Sequence, residues 1–125
     1  MRSEGDHFMS RSTSEVFEDH LARAARGDVE GDIAANFAPD CVLLTSRGRF
    51  DGHDGVRAAA AMLADEVPEA KYLYTQRAVY GEIAFLEWTA VGRGALVSDG
   101  ADSFLIRDDR IRVMTIHYTV EPEDI

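Results

Sequence analysis

Asp102 and His117 stand at the two ends of the segment DSFLIRDDRIRVMTIHYTV, an acid and an imidazole in an otherwise largely apolar alternation. Proton transfer is the chemistry such a pair can do. An imidazole takes or gives a proton near neutral pH, and a carboxyl in apolar surroundings is pushed toward its neutral, donating form. The segment reads as two strands joined by a two-residue turn at Asp108 and Asp109. Regular pairing about that turn sets Ile106 opposite Ile111, Phe104 opposite Val113 and Asp102 opposite Thr115. Period two then puts His117 on the same face, diagonal to Asp102 and close enough to share a small ligand or a water. The plain alternatives are a strand-start aspartate bonding its own turn and a core histidine.

His20 is the next residue with chemistry to offer. It lies on the stripe Phe17, His20, Leu21, Ala24 and Ala25, the i, i+3, i+4, i+7, i+8 pattern of an amphipathic helix, so its imidazole must be at least partly covered. Metal chemistry lacks a pattern: His7, His20, His53 and His117 show no HxH or HExxH spacing, and Asp54 beside His53 looks like a helix cap. Cys41, the single cysteine, sits in the apolar run CVLL and reads as a small core residue. No glycine-rich phosphate loop precedes a helix, and no serine sits in a nucleophile elbow.

The elements that must position these groups are readable in order. Residues 1–11 are polar and expected to be loose. Ser12 with Glu15 makes a capping box for the first helix, and Gly27 ends it. Asp28 caps a short second helix with Val29, Ile33 and Phe37 inward, broken by Pro39 and Asp40. CVLLTS is a short strand. A third helix runs from about His53 to Glu66 and stops at Pro68. Strands follow: KYLYTQRAVY, EIAFLEWTAVG, GALV up to a turn at Ser98 to Gly100, and then the hairpin. EPEDI at 121–125 is a polar tail. Helices first and an antiparallel meander after them predict a single α+β domain over 12–120, with the helices on one face of the sheet. Both alternating sets of EIAFLEWTAV are largely apolar, so the outer face is expected to be covered as well. A second copy of the chain is the expected cover, a homodimer through the sheet, although the pattern alone does not say which set faces out.

The chain has 125 residues, 46% of them hydrophobic, enough for one core and little more. A net charge of −10 speaks against nucleic acid and against an anionic membrane surface as partners. There is no apolar run long enough for a signal peptide or a membrane span, and the chain reads as cytoplasmic.

The segments ARGDVEGDIAANFAPDCVLLT, FDGHDGVRA, AFLEW and DSFLIRDDRIRVMTIHYTV, in that order, resemble the SnoaL-like branch of the nuclear transport factor 2-like superfamily, which includes ketosteroid isomerases and limonene epoxide hydrolases. The resemblance covers about residues 12–120. It implies a cone: a curved, cystatin-like antiparallel sheet wrapped by three helices, with a pocket in its mouth. It implies that Asp102, opening a strand that reads aspartate, any, aromatic, any, apolar, is the oxyanion-holding acid of the isomerases. It puts His20 where they carry a tyrosine donor on the first helix, and Thr45 where they carry a carboxylate base. Threonine cannot serve as that base at neutral pH, which argues against steroid isomerisation. It turns Glu87 toward the pocket, between Phe85 and Thr89, as a replacement base, and puts Leu86 and Trp88 on the outer, dimer face; the plain alternative for Glu87 is an edge or interface glutamate in a salt bridge. Phe50, Met62, Tyr72, Tyr74, Phe85, Phe104 and Thr115 are then pocket walls beside Thr45. The aspartate–arginine–aspartate set of the epoxide hydrolases has no matching inward arginine here.

The reading that results is a cofactor-independent acid–base enzyme, of isomerase, cyclase, dehydratase or hydrolase type, acting on a small apolar metabolite. Glu87 or His117 is the base, Asp102 the acid and His20 a donor, with no metal. The alternatives are a ligand-binding module that uses the same pocket without chemistry, and a dimeric interaction domain whose cone is filled by its own side chains.

Overall fold

The computed structural model describes residues 10–123. Ser12 caps α1 (Thr13–Ala25) through the capping box with Glu15, and Val16, Phe17, His20 and Leu21 form its buried stripe. Gly27 then takes the left-handed conformation that releases the chain (φ 75°). The Asp28 carboxylate accepts from the Gly31 N–H and caps α2 (Val29–Asn36), which buries Asp32, Ile33 and Asn36. Phe37 does not belong to that helix. It opens strand β1 (Phe37–Thr45), which Pro39 and Asp40 continue. A turn leads to β2 (Gly48–Asp51), and α3 (Gly52–Glu66) follows, with Asp51 rather than Asp54 at its N-cap position.

The remainder is strand: β3 (Lys71–Tyr80), β4 (Ile83–Val91), β5 (Ala95–Arg107), β6 (Arg110–His117) and the short β7 (Glu121–Pro122). They form one curved sheet in the order β2-β1-β6-β5-β4-β3, with β7 added on β5. The α+β class with helices gathered on one sheet face is as expected. The sheet is mixed, not antiparallel throughout, because β1 pairs parallel with β6. A parallel pair needs a long crossover, and α3 together with the β3–β5 meander supplies it.

Bulges depart further from the expected register. β5 runs unbroken through Ser98–Gly100, where the sequence suggested a turn. Two β4 steps from Trp88 to Ala90 face three β5 steps from Gly100 to Val97, so those small polar residues make a bulge. The hairpin turn at Asp108 and Asp109 is as expected, both residues at positive φ (53° and 69°) as a type I′ turn requires. Beyond it, Ile106 faces Ile111 but Leu105 faces Val113, so Arg112 is an extra residue in β6. That single insertion reverses the faces of everything after it. Phe104 therefore meets Met114, Asp102 meets Ile116, and His117 pairs with Ala101.

The core lies between the concave sheet face and the helices, built on Phe17, Leu21, Ile33, Phe37, Leu43, Leu86, Trp88, Phe104 and Ile111. In β4 the buried set is Ala84, Leu86, Trp88 and Ala90, while Ile83, Glu87 and Val91 are exposed. Leu86 and Trp88 thus point inward, opposite to the outer-face position expected for them. Most of the loose segment lies outside the described residues, but Arg11 is held firmly, its guanidinium bonded to Asp109, Asn36 and the Ala35 carbonyl. Glu121–Pro122, in the expected tail, pairs with Ala95 and Leu96.

Candidate functional site

Between the helices and the concave face lies a cavity of about 440 Å³, within the roughly 300–1,000 Å³ range of small-molecule sites. Its walls are mostly apolar and aromatic: Leu21, Phe50, Met62, Leu63, Tyr72, Tyr74, Trp88, Met114, Ile116 and Tyr118 among others. A buried imidazole and two buried carboxyl groups line it: His20 from α1, Asp32 from α2 and Asp102 from β5.

Asp102 is 7% exposed. Its neighbours across the sheet are the apolar Leu86 and Ile116. Burial pushes its carboxyl up to about 7, against the smaller opposing pulls of the Trp88 hydrogen bond and the His20 charge. The Trp88 indole N–H donates to Oδ1 at 3.0 Å. Among the described residues, Oδ2 has no hydrogen-bond partner. Gly100 makes this arrangement possible: any Cβ there would run into the Trp88 ring.

His20 is equally covered, at 7% exposed. Its Nδ1 lies 2.7 Å from Asp32 Oδ2, and Asp32 is itself buried. A carboxylate only accepts, so Nδ1 carries the proton, and in the neutral ring Nε2 holds the lone pair. The ring stands edge-on to Phe37 and Phe104, at centroid distances of 5.6 and 5.3 Å, which fixes its plane. Among the described residues, Nε2 has no hydrogen-bond partner.

The mouth carries a second polar group. Arg47, from the β1–β2 turn, donates to Glu66 at 2.7 Å and sits 4.6 Å above the Tyr118 ring. Tyr118 donates to the other Glu66 oxygen at 2.6 Å, and burial with this bond raises its hydroxyl to about 12. Tyr74 is raised to about 12 as well, mainly by burial, and donates to the Leu21 carbonyl. Burial also raises Tyr72, whose hydroxyl makes no hydrogen bond among the described residues.

Of the residues singled out in the sequence, His20, Asp102, Thr45, Phe50, Met62, Tyr72 and Tyr74 line the cavity. The Thr45 hydroxyl is committed to the turn, donating to the Gly48 carbonyl and accepting from the Arg47 N–H. Four expectations fail by strand phase. Glu87 is exposed on the outer face and Phe85 sits beside it. His117 is exposed, 3.3 Å from Asp99, and Thr115 shares its face, both turned out by the Arg112 bulge. Phe104 faces inward but lies behind His20, against Phe17, and does not line the cavity. Asp32 was missed. Its signal was an Asp32–Asn36 pair at i, i+4 flanking the Ile33 stripe, polar residues where a second helix must pack. Among the described residues, no group of three or more His, Cys, Asp or Glu could hold a metal ion, and no helix is long and apolar enough to cross a membrane.

A curved mixed sheet closed by three helices over a pocket with buried acid and imidazole defines the cystatin-like α+β class of pocket proteins. Residues 17–114 match the model of the SnoaL-like domain, and the chain belongs to that family. No curated protein matches it. Solved structures share the fold. A candidate polyketide cyclase from Sinorhizobium meliloti has a TM-score of 0.71 at 20% identity, over 82% of this chain and 93% of that one. A candidate ketosteroid isomerase from Kribbella flavida has 0.71 at 14%, over 90% and 82%. A cystatin-fold protein from Novosphingobium aromaticivorans has 0.69 at 13%, over 86% and 98%. The resemblance to the SnoaL-like and ketosteroid-isomerase-like branch is borne out.

Proposed function

We propose that the chain is a cofactor-independent acid–base enzyme for a small, largely apolar carbonyl compound, with His20 and Asp102 as its proton-transfer pair. The observation that carries this reading is the meeting, in one apolar cavity, of an Asp-oriented imidazole and a carboxyl pushed up to about 7. Asp32 holds Nδ1–H, so Nε2 takes a proton from the carbon beside the carbonyl. Neutral Asp102, steadied at Oδ1 by Trp88, donates through Oδ2 to the carbonyl oxygen as negative charge builds there. Return of the proton to another carbon is isomerisation. Attack of the enolate on a second carbonyl is cyclisation, and expulsion of a β-hydroxyl is dehydration. The protons and electrons balance without any redox partner. The structural neighbours described as a candidate cyclase and a candidate isomerase support the same class.

The test is proton exchange in D2O. Small cyclic ketones are screened for binding through the fluorescence of Trp88, the only tryptophan, and bound ones are followed by NMR for loss of the α-proton. Exchange that drops about 100-fold or more in both Asp102→Asn and His20→Gln is the expected result. Ligands that bind and never exchange would instead make the chain a binding module, the reading that the bound Thr45 hydroxyl favours. The homodimer belongs to the proposal too, carried now by exposed Leu73, Ile83 and Val91 on the outer face. Sedimentation equilibrium should give a dimer that Ile83→Glu separates; a monomeric wild type ends that part. The proposed site of action is the cytoplasm.

A further inference from the structure

The polar chain that begins at His20 continues away from the cavity. Asp32 Oδ2 faces His20, and its Oδ1 accepts from Asn36 Nδ2 at 2.9 Å. The same amide nitrogen donates to Asp19 Oδ2 at 2.8 Å, and Asn36 Oδ1 accepts from Arg11 at 2.8 Å. Asn36 is completely buried. Its amide meets two carboxylates and one guanidinium, which fit one orientation only: nitrogen to the acids, oxygen to the cation. Arg11 is fixed in turn by Asp109 in the β5–β6 turn and by the Ala35 carbonyl. The hairpin that carries Asp102 therefore also anchors the residue that orients the partner of His20.

We propose that Asn36 and Arg11 are positioning residues that set the tautomer of His20. They hold the Asp32 carboxylate with Oδ2 turned to Nδ1, which keeps the proton on Nδ1 and leaves Nε2 bare toward the cavity. Without the amide, the carboxylate rotates between its oxygens, and the imidazole is free to protonate Nε2 instead. The role bears on catalysis only through the proton-transfer reading above, but the tautomer is measurable with no substrate present.

The experiment is the 15N NMR spectrum of histidine-labelled full-length protein, recorded where His20 is neutral. The wild type should show Nδ1–H as the dominant form. In Asn36→Leu the ratio of Nδ1–H to Nε2–H should fall about fivefold or more, the scale of one buried hydrogen bond. Arg11→Gln, at a partly exposed side chain, should move it in the same direction, and this variant decides the matter if Asn36→Leu does not fold. Asp32→Asn is the reference for complete loss. A ratio unmoved in Arg11→Gln and Asn36→Leu but changed in Asp32→Asn overturns the proposal and leaves the proton-transfer reading standing. A ratio unmoved by Asp32→Asn overturns it as well. Loss of α-proton exchange in Asn36→Leu should accompany the tautomer change with little effect on ligand affinity; exchange lost with the tautomer intact also counts against it. Absence of exchange in the wild type, with the tautomer responding as expected, would end the catalytic reading alone.

Discussion

Asp102 and His20 are made functional by what surrounds them, and the two environments pull in different directions. Among the described residues Asp102 has one donor, the Trp88 indole, and it is buried, so its neutral form is favoured up to about pH 7. His20 has a carboxylate at Nδ1 and a bare Nε2, the arrangement of an oriented base. The first expectation at this scale concerns Asp102 directly. Infrared difference spectra should contain a protonated-carboxyl band that vanishes across pH 7 and is missing from Asp102→Asn. A wild type with no such band at pH 6 would show that the carboxyl is hydrated and ionised, and its role as an acid would go. Asp102 and His20 were legible in the sequence because each broke an apolar pattern at a position that must be covered. Glu87 was misplaced although its charge held the answer. It belongs to the set Ile83, Phe85, Glu87, Thr89 and Val91, and burying an unpartnered carboxylate costs more than exposing those neighbours.

Strand phase is decided at the scale of the element, and bulges decide it here. Helix boundaries followed from caps that lie next to one another in sequence, Ser12 with Glu15 and Asp28 with Gly31. A bulge is set by the pairing of two strands, and local propensity hardly marks it. The one trace was in β6, where Val113 and Met114 are adjacent apolar residues: alternation changes phase there, one residue past Arg112. The parallel β1–β6 pair was equally invisible, since strand order is a property of the assembled sheet. Close packing between strands yields a prediction. An alanine in place of a strand glycine ordinarily stabilises by about 0.4–1 kcal/mol where the backbone allows it, through the unfolded chain. At Gly100 the added methyl meets the Trp88 ring on β4. Gly100→Ala should therefore lose about 1–3 kcal/mol, as overpacked cores do, and shift the tryptophan emission as the indole leaves Asp102. Urea unfolding and a fluorescence spectrum check both; a more stable variant with unchanged emission would mean the two strands are looser than this contact requires.

The whole molecule carries a net charge of −10 and two opposing kinds of acid. Asp19, Glu30 and Glu82 are lowered by hydrogen bonds from Arg23, Arg57 and Arg107 respectively, Asp28 by the Gly31 N–H, and Asp99 by the Thr119 side chain and then its N–H. A lowered carboxyl contributes stability above its ordinary pKa and loses it as the pH falls, but these groups are exposed or half-buried and each adds little. Asp102 works the other way. The folded protein keeps its proton between the ordinary 3.8 and about 7, while the unfolded chain has released it. The folded state binds more protons across that window, so stability falls as pH rises through it and levels off above pH 7. At about 1.4 kcal/mol per pKa unit, the full loss is on the order of 4 kcal/mol. Growing repulsion among the surplus acids adds to the decline. The stability maximum should thus lie on the acid side of neutrality. Urea midpoints from pH 4 to 9, for the wild type and Asp102→Asn, separate the causes. The wild type should lose stability relative to the variant between pH 4 and 7 and run parallel to it above. The comparison cancels the net-charge contribution, which the two proteins nearly share. Parallel curves over the whole range would mean that Asp102 gives up its proton at the same pH folded or unfolded, and the effect of its burial would have to be given up too.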